Sequence, residues 1–140
     1  HRADRFRKHR LLRECLACES VRPHQTHISN PSVPTTVGDL CDELVDAGII
    51  SQPQLDAFLA SPTGWRSGGD VTAFLSGMTR EHLLTHWQAD QIRKGNLVAL
   101  CLDRYVLLDH LDEGGFGLVY KARHALMDRI VALKVLQRRL

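Results

Sequence analysis

The chain has 140 residues, room for one ordinary domain or two small ones, and its 44% apolar and 24% charged residues are those of a soluble globular protein. Its longest apolar run, residues 97–102, is far below the ~18 residues of a membrane-spanning helix, so no spanning segment is expected. The net charge of +2 conceals three unlike regions: residues 1–30 carry seven Lys/Arg against three acids, 35–75 one against six, and 76–140 ten against seven.

The first region opens with "HRADRFRKHRLLREC", which is basic and interrupted by charges throughout, unlike a secretory leader. The four cysteines, Cys15, Cys18, Cys41 and Cys101, are unevenly placed. Reduced thiols and a cytoplasmic location are the expectation. Because the first residue is His, either an initiator has been lost or the sequence begins inside a longer reading frame. A short helix is expected around Phe6–Ala17, followed by a linker with Pro23, Pro31 and Pro34, so residues 1–34 read as a disordered basic segment. Arginine-rich segments can bind nucleic acid, but only Phe6 is interleaved with these charges, and a solvated tail is the better reading. Cys15-x-x-Cys18 and His24-x-x-His27 offer zinc-ligand types. Only five residues separate the two pairs, too few for the helix or hairpin that usually carries the second, and no zinc site is expected.

Residues 35–95 read as a small helical module. In "TVGDLCDELVDAGII" Thr36 is placed as an N-cap, Leu40, Leu44 and Val45 have helical spacing, and Gly48 is a stop. "SQPQLDAFLA" puts Ser51 and Gln54 at capping-box spacing with Pro53 in the first turn. After the Gly/Ser-rich break "SPTGWRSGGD" come "VTAFLSGM" and "TREHLLTHWQADQIRKGN", where Thr85 and Gln88 repeat the box and Gly95 ends the helix. Trp87 and Ile92 are expected to share a buried stripe with Leu83 or Leu84. His82 and His86 stand four apart, as metal ligands on one helix can, but without a third ligand they read as surface residues. Nothing in the module has catalytic spacing; it reads as a packing or docking element.

Beyond Gly95 the period changes. "LVALCL", "RYVLLDHL", "GLVYKARH" and "RIVALKVLQ" are rich in Val, Leu, Ile and Tyr and are bounded by turn residues, as strands are. The last three form an antiparallel meander with turns at "DEGGF" and "HALMD". Gly114, Gly115 and Gly117 lack a Cβ, so the first turn can take positive φ and bring backbone N–H groups to an anion. On the last strand Ala132 and Lys134 alternate to one face while Val131, Leu133 and Val135 take the other. A small residue beside a lysine suits a flat ring near an ammonium group. The bland alternative is a flexible turn and a lysine on a solvated strand, with His124 and Lys121 decorating the second strand.

Asp112, Gly114, Gly117 and Val119, followed by Val131-Ala132-Leu133-Lys134, resemble the start of the catalytic domain of Hanks-type serine/threonine protein kinases, particularly bacterial ones. That family reads G-x-G-x-x-G-x-V and then V-A-I-K or a variant. The frame departs at its first position, where Asp112 replaces glycine and adds negative charge. Upstream, "LLTHWQADQIRKGN" is similar to the helical segment that precedes the kinase domain in some large bacterial kinases. The resemblance implies an α+β fold: a helical module at 35–95, then an incomplete antiparallel sheet at 96–140 that is part of a protein-kinase N-lobe. It implies ATP as ligand, with Leu111 and Val119 on one face of the adenine and Ala132 at its edge. Gly114, Gly115, Phe116 and Gly117 would lie over the phosphates. Lys134 would pair with the α- and β-phosphates and with a glutamate from a helix called αC.

The family's catalytic aspartate, magnesium ligands and αC glutamate all follow the third strand, so no catalytic residue is assigned here, and Mg²⁺ is expected only in a full-length protein. The end after Leu140 reads as a truncation that leaves an apolar sheet face uncovered and an edge unpaired, with poor solubility as the consequence. The protein substrate is not legible. The rival reading is a non-catalytic interaction protein whose kinase-like part is vestigial. A minor third is a zinc-stabilised nucleic-acid binder using residues 1–30.

Overall fold

The computed structural model describes residues 18–21, 33–62, 65, 68–114 and 117–136. The chain is an α+β protein in two compact units, one of helices (residues 28–101) and one built around a sheet (residues 1–27 and 102–140).

In the helical unit four helices are delimited by their own end residues: α1 (Val37–Asp46), α2 (Gln52–Ala60), α3 (Val71–Arg80) and α4 (His86–Arg93). The first N–H groups of a helix lack intrahelical acceptors, and each helix here finds one in a side chain. Thr36 Oγ1 accepts from Asp39 N at 3.1 Å, and Asp70 Oδ1 from Ala73 N at 2.8 Å. Both expected capping boxes form: Ser51 N donates to Gln54 Oε1 at 3.0 Å, and Thr85 N to Gln88 Oε1 at 2.9 Å. Gly48 (φ 72°) and Gly95 (φ 85°) take the left-handed conformation just beyond α1 and α4.

The helices enclose Leu40, Leu44, Ile50, Leu55, Phe58, Phe74, Leu75, Met78, Leu84 and Ile92. Phe74 is the centre: Phe58 meets it edge-on at 5.2 Å between centroids and Trp65 at 5.0 Å. Gly69 lets Trp65 in, since a Cβ there would come within 2.8 Å of the indole ring. The Cys41 thiol is pushed above its ordinary pKa by burial and, secondarily, by Asp42.

Three local expectations are corrected in this unit. Trp87 is only half-buried; Gln88, Ala89 and Ile92 form the buried face of α4, because the capping box turns Gln88 inward. His82 and His86 do not share a helix: α3 ends at Arg80, and His82 sits in the connection with φ 60°. The apolar run 97–102 is not one strand but a 3₁₀ turn (Val98–Leu100) followed by a two-residue strand, since apolar character alone does not select a backbone.

The sheet contains β1 (Cys18–Val21), β2 (Cys101–Leu102), β3 (Tyr105–Gly114), β4 (Gly117–His124) and β5 (Ile130–Leu136), in spatial order β1-β5-β4-β3-β2. β3, β4 and β5 form the expected antiparallel meander. β3 shifts register twice, with Leu108 and Leu111 as the inserted residues. Such bulges bend a strand and increase its twist.

The segment expected to be a disordered linker contributes β1, which lies parallel on β5 from Cys18↔Ala132 to Val21↔Val135. An exposed strand edge offers backbone N–H and C=O groups, and a short extended segment can use them without any side-chain pattern. The edge of β5 is therefore occupied, and on the apolar face Leu107, Ala122, Val131 and Leu133 are buried, with Leu118, Tyr120 and Val135 half-buried. The expected Phe6–Ala17 helix and the zinc ligands Cys15, His24 and His27 lie outside the described residues. Cys18 starts β1.

His124 does not decorate the surface. It is buried, meets Tyr105 edge-on at 5.2 Å, and its Nδ1 accepts from Leu126 N (3.3 Å) and Met127 N (3.1 Å). Its backbone N–H donates to Arg129 O at 2.8 Å, so one residue holds both ends of the β4–β5 turn.

Phe74→Ala is expected to cost about 3–5 kcal/mol. That is a large part of a small unit's stability, and urea denaturation followed by tryptophan fluorescence reads it directly. A loss below about 1 kcal/mol would show that the aromatic cluster is not the centre of this core.

Candidate functional site

Across an antiparallel ladder, residues directly opposite one another share a face. The β4–β5 register sets Val119 opposite Lys134 and Lys121 opposite Ala132; the β3–β4 register adds Asp112 opposite Val119 and Asp109 opposite Lys121. One face of the sheet thus carries two rows, Asp112–Val119–Lys134 and Asp109–Lys121–Ala132. The other face carries Leu107, Ala122, Val131 and Leu133. By register Ala132 and Lys134 share a face, as expected, but burial does not alternate with it: Val131, Ala132 and Leu133 are all buried.

The glycine turn lies at the same end of the sheet as the lysine. Gly114 pairs with Gly117, so only Gly115 and Phe116, both outside the described residues, separate the strands. Gly117 is two residues along β4 from Val119, roughly 7 Å at strand rise. Gly117 has φ +146°, and a Cβ on it would collide with the Val135 carbonyl oxygen. Glycine is required at this position by the approach of the β5 backbone, whatever the turn binds.

Of the three residues assigned to the adenine, Leu111 and Ala132 are 3% and 2% exposed, while Val119 is half-buried. Little of either buried side chain is open to a ring. Asp112, at the departure from the family frame, is exposed and turns its carboxylate onto its own strand: Oδ1 accepts from Glu113 N at 2.8 Å. Asp109 does the same for His110 N at 2.9 Å. Each carboxylate thus satisfies a backbone donor next to a register shift.

A second cluster lies on the opposite face. His110 and Tyr120 are cross-strand partners with ring centroids 5.5 Å apart, and His110 Nε2 is buried with no hydrogen-bond partner. Burial, and secondarily the Glu113 carboxylate, raise the Tyr120 phenol above its ordinary pKa. This cluster was not singled out from the sequence, because its rings meet only through the register created by the inserted Leu111. Facing away from Lys134, it is separate from the candidate site. Among the described residues no group of three or more His, Cys, Asp or Glu side chains is placed to hold a metal ion, and no helix is long and apolar enough to cross a membrane.

Two measurements check these assignments. Gly117→Ala is expected to destabilise the sheet unit by about 1–3 kcal/mol from backbone strain alone, with the carbonyl collision adding to it; unchanged denaturation would exclude the close approach. Glu113→Gln is expected to lower the Tyr120 ionisation midpoint while burial keeps it elevated, as followed by tyrosinate absorbance; an unmoved midpoint would remove Glu113 as a cause. Because the folded form holds the phenolic proton more tightly than the unfolded chain, this group's stabilisation is present below about pH 10 and is lost as pH rises through the folded value. Compared with known proteins, the chain matches no family model, no curated protein and no solved structure.

Proposed function

We propose that residues 102–136 bind ATP as part of the amino-terminal lobe of a serine/threonine protein kinase. The observation that carries this reading is the shared face and end of the sheet: Lys134 stands directly opposite Val119, Ala132 lies on the same face, and the Gly114–Gly117 turn closes the hairpin two residues away. An ammonium group beside a small and a branched apolar residue, near a glycine turn, can neutralise phosphate while a flat base lies over the apolar pair. In this reading Lys134 holds the α- and β-phosphates and the turn's N–H groups lie over them. Transfer of the γ-phosphoryl group to a protein Ser or Thr, with Mg²⁺, rests on residues that the family carries after its third strand.

A second reading is favoured by the burial of Leu111 and Ala132 and by Asp112 in the place of the first glycine. In it the helical unit is a docking module, and the kinase-like strands serve only as structure.

Calorimetric titration of the chain with ATP separates the two. Nucleotide binding that Lys134→Ala weakens at least tenfold, about 1.4 kcal/mol, supports the first. Absence of binding, or binding that Lys134→Ala leaves unchanged, removes the nucleotide site and leaves the second.

A further inference from the structure

The face that carries Lys134 also carries two carboxylates, and the ladder places them differently. Asp109 stands opposite Lys121, so an opposite charge faces it from the next strand. Asp112 stands opposite Val119, and Val119 opposite Lys134. That row therefore has an anion at one end, a cation at the other and an apolar residue between. Glu113 stands opposite Leu118 and its carboxylate acts on the Tyr120 phenol, which puts it on the other face. Asp112 is thus the carboxylate of the Lys134 row.

The Asp112 carboxylate is both anchored and exposed. Its Oδ1 accepts from Glu113 N at 2.8 Å, and the residue is open to solvent. Two strand spacings set Asp112 about 10 Å across the sheet from Lys134. At that distance in water two unit charges change an equilibrium about twofold, and the factor multiplies with each further charge on a ligand. A nucleotide whose phosphates are drawn to Lys134 and lie across Val119 therefore brings them toward a fixed negative charge. One phosphate loses little by this, and three lose several times as much.

We propose that Asp112 is a specificity-determining residue of the nucleotide site: from the far end of the Lys134 row, its carboxylate disfavours a nucleotide according to the number of charges on its phosphates. The inference rests on the nucleotide reading of this face and adds a rank order to it, with AMP penalised least and ATP most.

Calorimetric titration of the full chain, Asp112→Asn and Asp112→Gly with ATP and with AMP, all without Mg²⁺, tests the inference. Asparagine keeps a side-chain oxygen for Glu113 N and removes only the charge. At about 0.01 M salt, where the Debye length is about 30 Å, Asp112→Asn is expected to gain about fivefold or more in affinity for ATP and about twofold for AMP. At about 0.1 M salt the Debye length is about 10 Å, and the ATP gain falls by at least half. Binding of ATP by Asp112→Asn alone is the extreme of the same result. The inference is overturned, with the nucleotide site left in place, by no gain for ATP, by an equal gain for both nucleotides, or by a gain that salt leaves unchanged. A gain in Asp112→Gly that Asp112→Asn does not share overturns it too, because the effect then belongs to the backbone and not to the charge. If none of the three proteins binds either nucleotide, the site itself is absent and the inference falls with it.

Discussion

The absence of a side chain at Gly117 is the constraint on which the sheet unit's arrangement depends. The Val135 carbonyl oxygen lies where a Cβ would sit, so in the observed register β4 can approach β5 this closely only with glycine at 117. That register decides which face each residue occupies. A slip by one residue would send Lys134 to the apolar face and bring Leu133 out beside Val119. The same pairing sets Ala122 against Val131 and Tyr120 against Leu133 on the apolar side.

The helical unit depends on a different economy. Its helices are short, 8–10 residues each, too short to persist in water on intrinsic propensity. What fixes them is the satisfaction of their first N–H groups by Thr36, Ser51, Asp70 and Thr85, together with the burial of Phe74 between Phe58 and Trp65. End residues determine where each helix begins, and the aromatic cluster determines how they meet.

This division explains what could be read from the sequence. Caps, boxes and glycine stops act over three or four residues, so Thr36, Ser51 with Gln54, Thr85 with Gln88, and Gly48 announced their helices directly. The alternation at residues 131–135 is equally local, and it placed Lys134 and Ala132 on one face. Features made by distant backbone were not legible. β1 has no pattern of its own, because its partner lies far along the chain and is joined through main-chain groups. The insertions at Leu108 and Leu111 were hidden because leucine suits either face. His124 looked like a surface residue until the turn folded its amide donors onto Nδ1. For the candidate site, the side chains that share a face with Lys134 were readable; the burial of Leu111 and Ala132 was not, since burial is set by packing and not by local pattern.

The strand order also has a consequence for how the chain acquires its shape during synthesis. Cys18 and its partner Ala132 are separated by 114 positions. At roughly 5–20 residues per second, the ribosome delivers β1 several seconds or more before the edge that receives it exists. The helical unit is made in that interval and can fold on local signals, and the β3–β4–β5 meander needs only neighbouring turns. Among the described strands β1 is made first, and it can be paired only once β5 exists. Until β5 has been made, the backbone groups that β1 will pair have no strand to receive them.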